Sequence, residues 1–138
     1  MLTLQIEENP QQADLDIIGQ GLSDFNRSAS GDSERESLTI FVRDESGALL
    51  GGLIGSISRS WLHISLLWVD ESIRRQGFGA ALMAAAEQEA VRRDCRGVHL
   101  NTFSFQAPEF YLKQGYSVFG ELPDYPLGHT RYFLKKEL

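Results

Sequence analysis

Apolar positions follow two rhythms along this chain, and together they predict an interleaving of helices and strands. Between Ala13 and Asn26, Leu15, Ile18, Leu22 and Phe25 return every three or four positions, the spacing of one helix face, and Asn9-Pro10 upstream is a helix-start signal. Gly19 and Gly21 weaken that helix. A second helix is predicted from Gly79 to Arg93, with Leu82, Ala86 and Ala90 on one face, Met83 widening it, and a favourable Glu89–Arg93 pair four residues apart. A short third helix covers Gln106 to Gln114. Strands are expected over Thr3 to Glu7, Leu38 to Arg43, Ala48 to Ser58, Trp61 to Val69, Val98 to Phe103, Tyr116 to Leu122 and Thr130 to Lys136. Asp44-Glu45-Ser46-Gly47 reads as a hairpin turn, Arg27 to Ser37 as a polar loop, and Asp124-Tyr125-Pro126-Leu127-Gly128 as a turn-rich loop. The order β-α-β-β-β-α-β-α-β-β predicts a mixed α/β fold, a mixed sheet with helices on both faces, in a single domain over residues 1–138.

Composition narrows the function classes. The net charge of −6 comes from residues 1–36, which hold eight acids and two bases; the remainder balances at eleven of each. No basic face is available to meet phosphates, so nucleic acid is not an expected partner. The acidic N-terminal region could draw in a cationic acceptor, or serve only as a solvated surface. No run reaches membrane-spanning length, so no membrane partner is expected. A single cysteine, Cys95, cannot form an internal disulfide, and a cytoplasmic location is the simplest expectation.

The most informative stretch is Leu66 to Ala90. An apolar run ends at Asp70-Glu71-Ser72, and Arg74-Arg75-Gln76-Gly77-Phe78-Gly79 then opens the alanine-rich helix. The first amides of a helix lack internal partners and carry the positive end of its dipole, so a strand–glycine loop–helix unit can hold an anion. Gly77 and Gly79 would let a phosphate approach the backbone; a glycine turn for tight packing is the competing reading. The loop is not a Walker A motif, because no Gly-Lys-Ser/Thr follows, and it lacks the third glycine of the dinucleotide fingerprint.

It resembles motif A of the GNAT superfamily of N-acetyltransferases, Gln/Arg-x-x-Gly-x-Gly/Ala, with Arg74, Gly77 and Gly79 in place. Leu67-Trp68-Val69 resembles the family's fourth strand, and Ala107-Pro108-Glu109-Phe110-Tyr111-Leu112-Lys113-Gln114-Gly115-Tyr116 resembles its motif B. The resemblance covers roughly residues 38 to 120. It implies a GNAT-type acyl-CoA N-acyltransferase fold whose fourth and fifth strands splay apart around coenzyme A. Acetyl-CoA would be the co-substrate, with no metal, and a homodimer is compatible with it. The pyrophosphate would lie on the loop of Arg74, Gln76, Gly77, Phe78, Gly79 and Ala80, and the pantetheine along Leu67, Trp68 and Val69; Arg75 or Lys113 could meet the 3′-phosphate of the cofactor, or be plain surface charges. Ser104 stands where many members carry a pantetheine-binding asparagine.

Acetyl transfer to an amine needs a neutral nucleophile, a polarised thioester carbonyl and a proton for the departing thiolate. Tyr111 fills the motif B tyrosine, which the resemblance implies is the general acid; packing its ring on the helix is the alternative. His63 is the leading base, since histidine titrates near neutrality; a histidine hydrogen-bonded across the sheet is the alternative. Strand alternation would put His63, Ser65, Leu67 and Val69 on one face, so that His63 and Ser65 line one groove. In the resembled family the first helical region, here with Phe25, borders the acceptor pocket; Asp124 and His129 in the late loop are alternative bases or acceptor contacts, Glu121 is a weaker one, and a simple turn is the competing reading of that loop. His63, His99 and His129 have no metal-ligand spacing. The expected function is acetyl transfer to the primary amine of a small cationic molecule in a ternary complex. A protein or peptide acceptor, or a non-catalytic acyl-CoA-binding module, are the alternatives.

Overall fold

A computed structural model describes residues 1–31 and 34–138. The chain divides into two compact units, Met1–Ser33 and Glu34–Leu138.

The first unit is built on helix α1, Gln12–Ser30. The helix runs four residues past the expected end at Asn26. Ser28 and Ser30 turn their hydroxyls back onto the carbonyls of Asp24 and Asn26, and Gly31, with φ +82°, stops the helix while its N–H donates to the Arg27 carbonyl. Leu15, Ile18, Leu22 and Phe25 share one face by their spacing. Thr3 to Glu7, expected as a strand, forms none: within this unit it has no second strand to pair with, and an isolated strand leaves its backbone groups unbonded.

The second unit carries, among the described residues, a six-stranded sheet in the order β1-β2-β3-β4-β6-β5. Its strands are β1 (Glu36–Arg43), β2 (Leu49–Ser58), β3 (Trp61–Val69), β4 (Gly97–Phe103), β5 (Ser117–Pro123) and β6 (Thr130–Glu137). Neighbours pair antiparallel except β3 and β4, which run parallel and pair only at Trp61–Gly97, Leu62–Val98 and His63–His99. Past that third rung the two strands separate. Helix α2, Phe78–Arg92, lies on one face and buries Leu82, Met83, Ala86 and Ala90; its alanines let it seat closely on Leu53, Leu62, Val98 and Leu134, all fully buried. Arg93 anchors the end of α2, reaching Glu89 at 2.9 Å and Glu36 at 3.1 Å. The short helix α3, Pro108–Lys113, sits on the same face, with Phe110 and Tyr111 packed against that core. Of the helices expected on both faces, the second unit therefore places its two on one face.

A bulge in β3 corrects one reading of the sequence. Ile54 pairs with Leu66 but Gly55 pairs with Ile64, so Ser65 is the extra residue. A bulge reverses the alternation beyond it. His63 therefore shares its face with Leu66 and Trp68, which are 63% and 50% exposed, whereas Leu67 and Val69 turn with Leu62 and Ile64 toward the α2 core. The Ser65 hydroxyl closes the irregularity by donating to the Ile54 carbonyl at 3.0 Å.

Candidate active site

The divergence of β3 and β4 opens a cavity of about 670 Å³. One wall is β3 from Ile64 to Val69, the other is Leu100, Asn101 and Thr102 of β4, and the start of α2 and the α3 residues Phe110 and Tyr111 close its side. Of the residues singled out in the sequence, Ser65, Leu67, Trp68, Val69, Arg74, Arg75, Gly77, Phe78, Gly79, Ala80 and Tyr111 line this one cavity. Gln76 belongs to the same loop but not to the lining.

The glycine loop is built by local bonds. Asp70 accepts from the Ser72 backbone N–H at 2.9 Å and from the Ser72 hydroxyl at 2.5 Å, which holds its carboxyl below the usual range. The Arg74 side chain turns back, Nε donating to the Val69 carbonyl at 2.9 Å, and so ties the loop to the end of β3. Gly77 caps α2 in the left-handed region, φ +86°, and nothing lies within 4 Å of where its Cβ would be. Gly79 has a different reason: a Cβ there would meet the Phe110 ring at 3.3 Å. One glycine thus shapes an open cradle beside the free amides of the first helical turn, while the other seats α3 on α2. The open space at Gly77 and the unpaired donors beside it fit a diphosphate.

Tyr111 is packed edge-on between Phe110 and Tyr116, at 5.0 and 6.1 Å between centroids. Burial raises its pKa above the ordinary tyrosine value, so the phenol keeps its proton at neutral pH. His63 does not itself line the cavity, but its successors Ile64 and Ser65 do. It stands on the last rung before the strands part, facing His99 with ring centroids 4.7 Å apart. Desolvation, aided by the Arg35 charge, lowers the His63 pKa below 6.5; desolvation, aided by His63, does the same for His99.

Several sequence candidates lie elsewhere. Ser104 is outside the cavity: its hydroxyl accepts from the Thr130 N–H at 2.9 Å and lies 3.4 Å from His129 Nδ1, pinning the loop between β5 and β6. Gln106 lines the cavity instead, its Oε1 held by the Thr102 hydroxyl and the Phe103 N–H. Asp124 has φ +56° and accepts from the Gly128 N–H, so it builds its own turn. His129 stacks edge-on against Phe105 at 5.0 Å. Phe25 belongs to α1 in the first unit. Asn101 and Arg131 belong to no motif that marks them in the sequence. Arg131 grips the Asn101 side-chain oxygen with Nε at 3.0 Å and Nη2 at 2.8 Å. The alternation of His99 and Asn101 was a signal for the first; only the pairing of β4 with β6 reveals the second.

A model of the Acetyltransferase (GNAT) family matches residues 6–116. The chain belongs to the GNAT family of acetyltransferases. Among GNAT relatives, it is 46% identical over 104 residues to a blasticidin-S acetyltransferase of Streptomyces morookaense, covering 75% of this chain and 76% of that protein. The crystal structure of an acetyltransferase from Bacillus cereus superposes with a TM-score of 0.90 at 37% identity, covering 97% of this chain and 98% of that one. An aminoglycoside 6'-N-acetyltransferase complexed with coenzyme A shares the fold, with a TM-score of 0.66 at 17% identity over 94% of this chain and 95% of that one. No helix among the described residues is long and apolar enough to cross a membrane.

Proposed function

We propose that this acetyltransferase moves an acetyl group from acetyl-CoA to the primary amine of a small cationic molecule, by direct attack in a ternary complex. The observation that carries the reading is the cavity between β3 and β4 ending at the open Gly77 cradle. A neighbour of the same fold was crystallised with coenzyme A, and a relative named for an antibiotic acceptor favours a small molecule over a protein. A cytoplasmic setting suits the buried free thiol of Cys95.

In this reading the free amides of Gly77, Phe78, Gly79 and Ala80 hold the diphosphate, with the dipole of α2 behind them. The exposed backbone edge of Leu67 to Val69, unpaired toward β4, receives the pantetheine arm. Acetyl-CoA, when bound, supplies the thioester carbon that the amine attacks. His63, neutral at pH 7 because its pKa is lowered, accepts the amine proton directly or through water. Tyr111, a phenol that carries its proton at neutral pH, donates to the departing sulfur.

The test is a melting experiment followed by turnover. Acetyl-CoA should raise the midpoint of the wild-type protein, as any ligand selective for the native state must, and an amine panel should then release free thiol. No shift with acetyl-CoA at saturating concentration would remove the reading.

A further inference from the structure

We propose that the Arg131–Asn101 pair is a carboxylate-binding subsite for the acceptor, so that the amine substrate also carries a carboxylate several bonds from its amine. This rests on the proposed acetyl-transfer reading and adds a second recognition point to it.

Register places the pair on the acceptor side of the sheet. His63 and His99 are directly paired, Phe103 is opposite Arg131, and alternation along β4 puts His99, Asn101 and Phe103 on one face. That face is turned away from α2, whose core takes Val98, Leu100 and Thr102. Asn101 lines the cavity; Arg131 does not itself line it, and meets it through its bonds to Asn101.

The guanidinium is held in place and left unneutralised. Its carbon lies 5.5, 5.1 and 5.3 Å from the ring centres of Phe103, Tyr125 and Phe133, and its Nε–Nη2 edge is fixed on Asn101. Among the described residues no carboxylate lies within ion-pair distance of it. Arg92 and Arg93, by contrast, each meet a glutamate. One edge bonded to an amide oxygen leaves the Nη1–Nη2 end with protons to donate, the fork that matches a carboxylate. Asn101 orients the fork and the rings restrict its rotation. Two residues of β4 separate Asn101 from the histidine rung by about 7 Å, so amine and carboxylate belong at opposite ends of a spacer of several methylenes.

The experiment compares aminocaproate with its carboxamide. The Arg131 Nε–Hε cross-peak, assigned by its loss in Arg131→Gln, is followed by NMR in the coenzyme A-saturated protein. Aminocaproate should shift it and the amide should not. In turnover, kcat/KM for aminocaproate should exceed that for the amide by about tenfold or more, mostly through KM. The ratio should fall toward one in Arg131→Gln and be partly restored in Arg131→Lys, which keeps the charge but not the fork. An unshifted cross-peak, an equal shift with both compounds, or a preference that survives Arg131→Gln would overturn the subsite. Failure of coenzyme A to raise the melting midpoint would instead strike the acetyl-transfer reading, and the cross-peak titration can still be read without it.

Discussion

The imidazoles of His63 and His99 face each other at 4.7 Å on the last rung shared by β3 and β4. Both pKa values are lowered below 6.5, chiefly by desolvation. With His63 as the base, kcat/KM should rise with pH and level off, the midpoint of its acid limb lying below 6.5. His63→Gln should lower kcat/KM by about 10²-fold and abolish the limb. A pH–rate profile of both proteins checks this; an unchanged limb in the variant assigns the base elsewhere.

The same pair makes stability depend on pH. The unfolded chain, whose histidines titrate at their ordinary value, binds more protons than the folded one between the lowered pKa values and 6.5. Their contribution is complete above pH 6.5 and is lost as pH falls through the folded values. Denaturant midpoints measured from pH 7.5 down to 5 should decline, and the decline should be shallower in the His63→Gln, His99→Gln double variant.

Tyr111 carries a separable prediction. Tyr111→Phe keeps the ring contacts with Phe110 and Tyr116 and removes only the hydroxyl. The expected result is kcat lowered by roughly 10²-fold, with the melting shift on acetyl-CoA retained. Unchanged turnover would leave Tyr111 a packing residue.

The two loop glycines should respond differently to alanine. Gly77→Ala forces a side chain into the left-handed region at φ +86° and should destabilise the protein by about 1 kcal/mol while weakening acetyl-CoA binding. Gly79→Ala places a methyl 3.3 Å from the Phe110 ring, so its effect should appear as a displaced α3, visible as changed Phe110 and Tyr111 chemical shifts.

Gly97 is the most sensitive glycine of the seam. A Cβ there would stand 2.5 Å from the Trp61 ring and 2.8 Å from the Lys136 carbonyl oxygen. Gly97→Ala should cost about 3 kcal/mol or more, because neither the strand backbone nor the indole can yield freely. Chemical denaturation checks it.

The parts of this architecture that could be read from sequence are those set by local rules. The glycine loop, the buried face of α2 through Leu82, Ala86 and Ala90, the hairpin at Asp44 and the position of Tyr111 follow from neighbours a few residues apart. The Ser65 bulge could not be read, because it depends on which β2 residue each β3 residue meets, and a shift of one residue turns Leu67 and Trp68 to opposite sides from those expected. Arg131 and Asn101 are thirty residues apart and meet only because β6 inserts between β4 and β5. Ser104 stands at the asparagine position of the resembled motif, but the bend after β4 turns it toward Thr130.

Only the rungs from Trp61 to His63 fasten β3 to β4, so the sheet is mechanically two ribbons stitched at one end, with α2 laid across both. Beyond the stitch, spreading is resisted by that helix and by whatever is lodged in the opening. Cargo held there would act as lacing, and the amides of Leu67 and Val69 should exchange with deuterium fast in the empty protein and slowly once it is loaded.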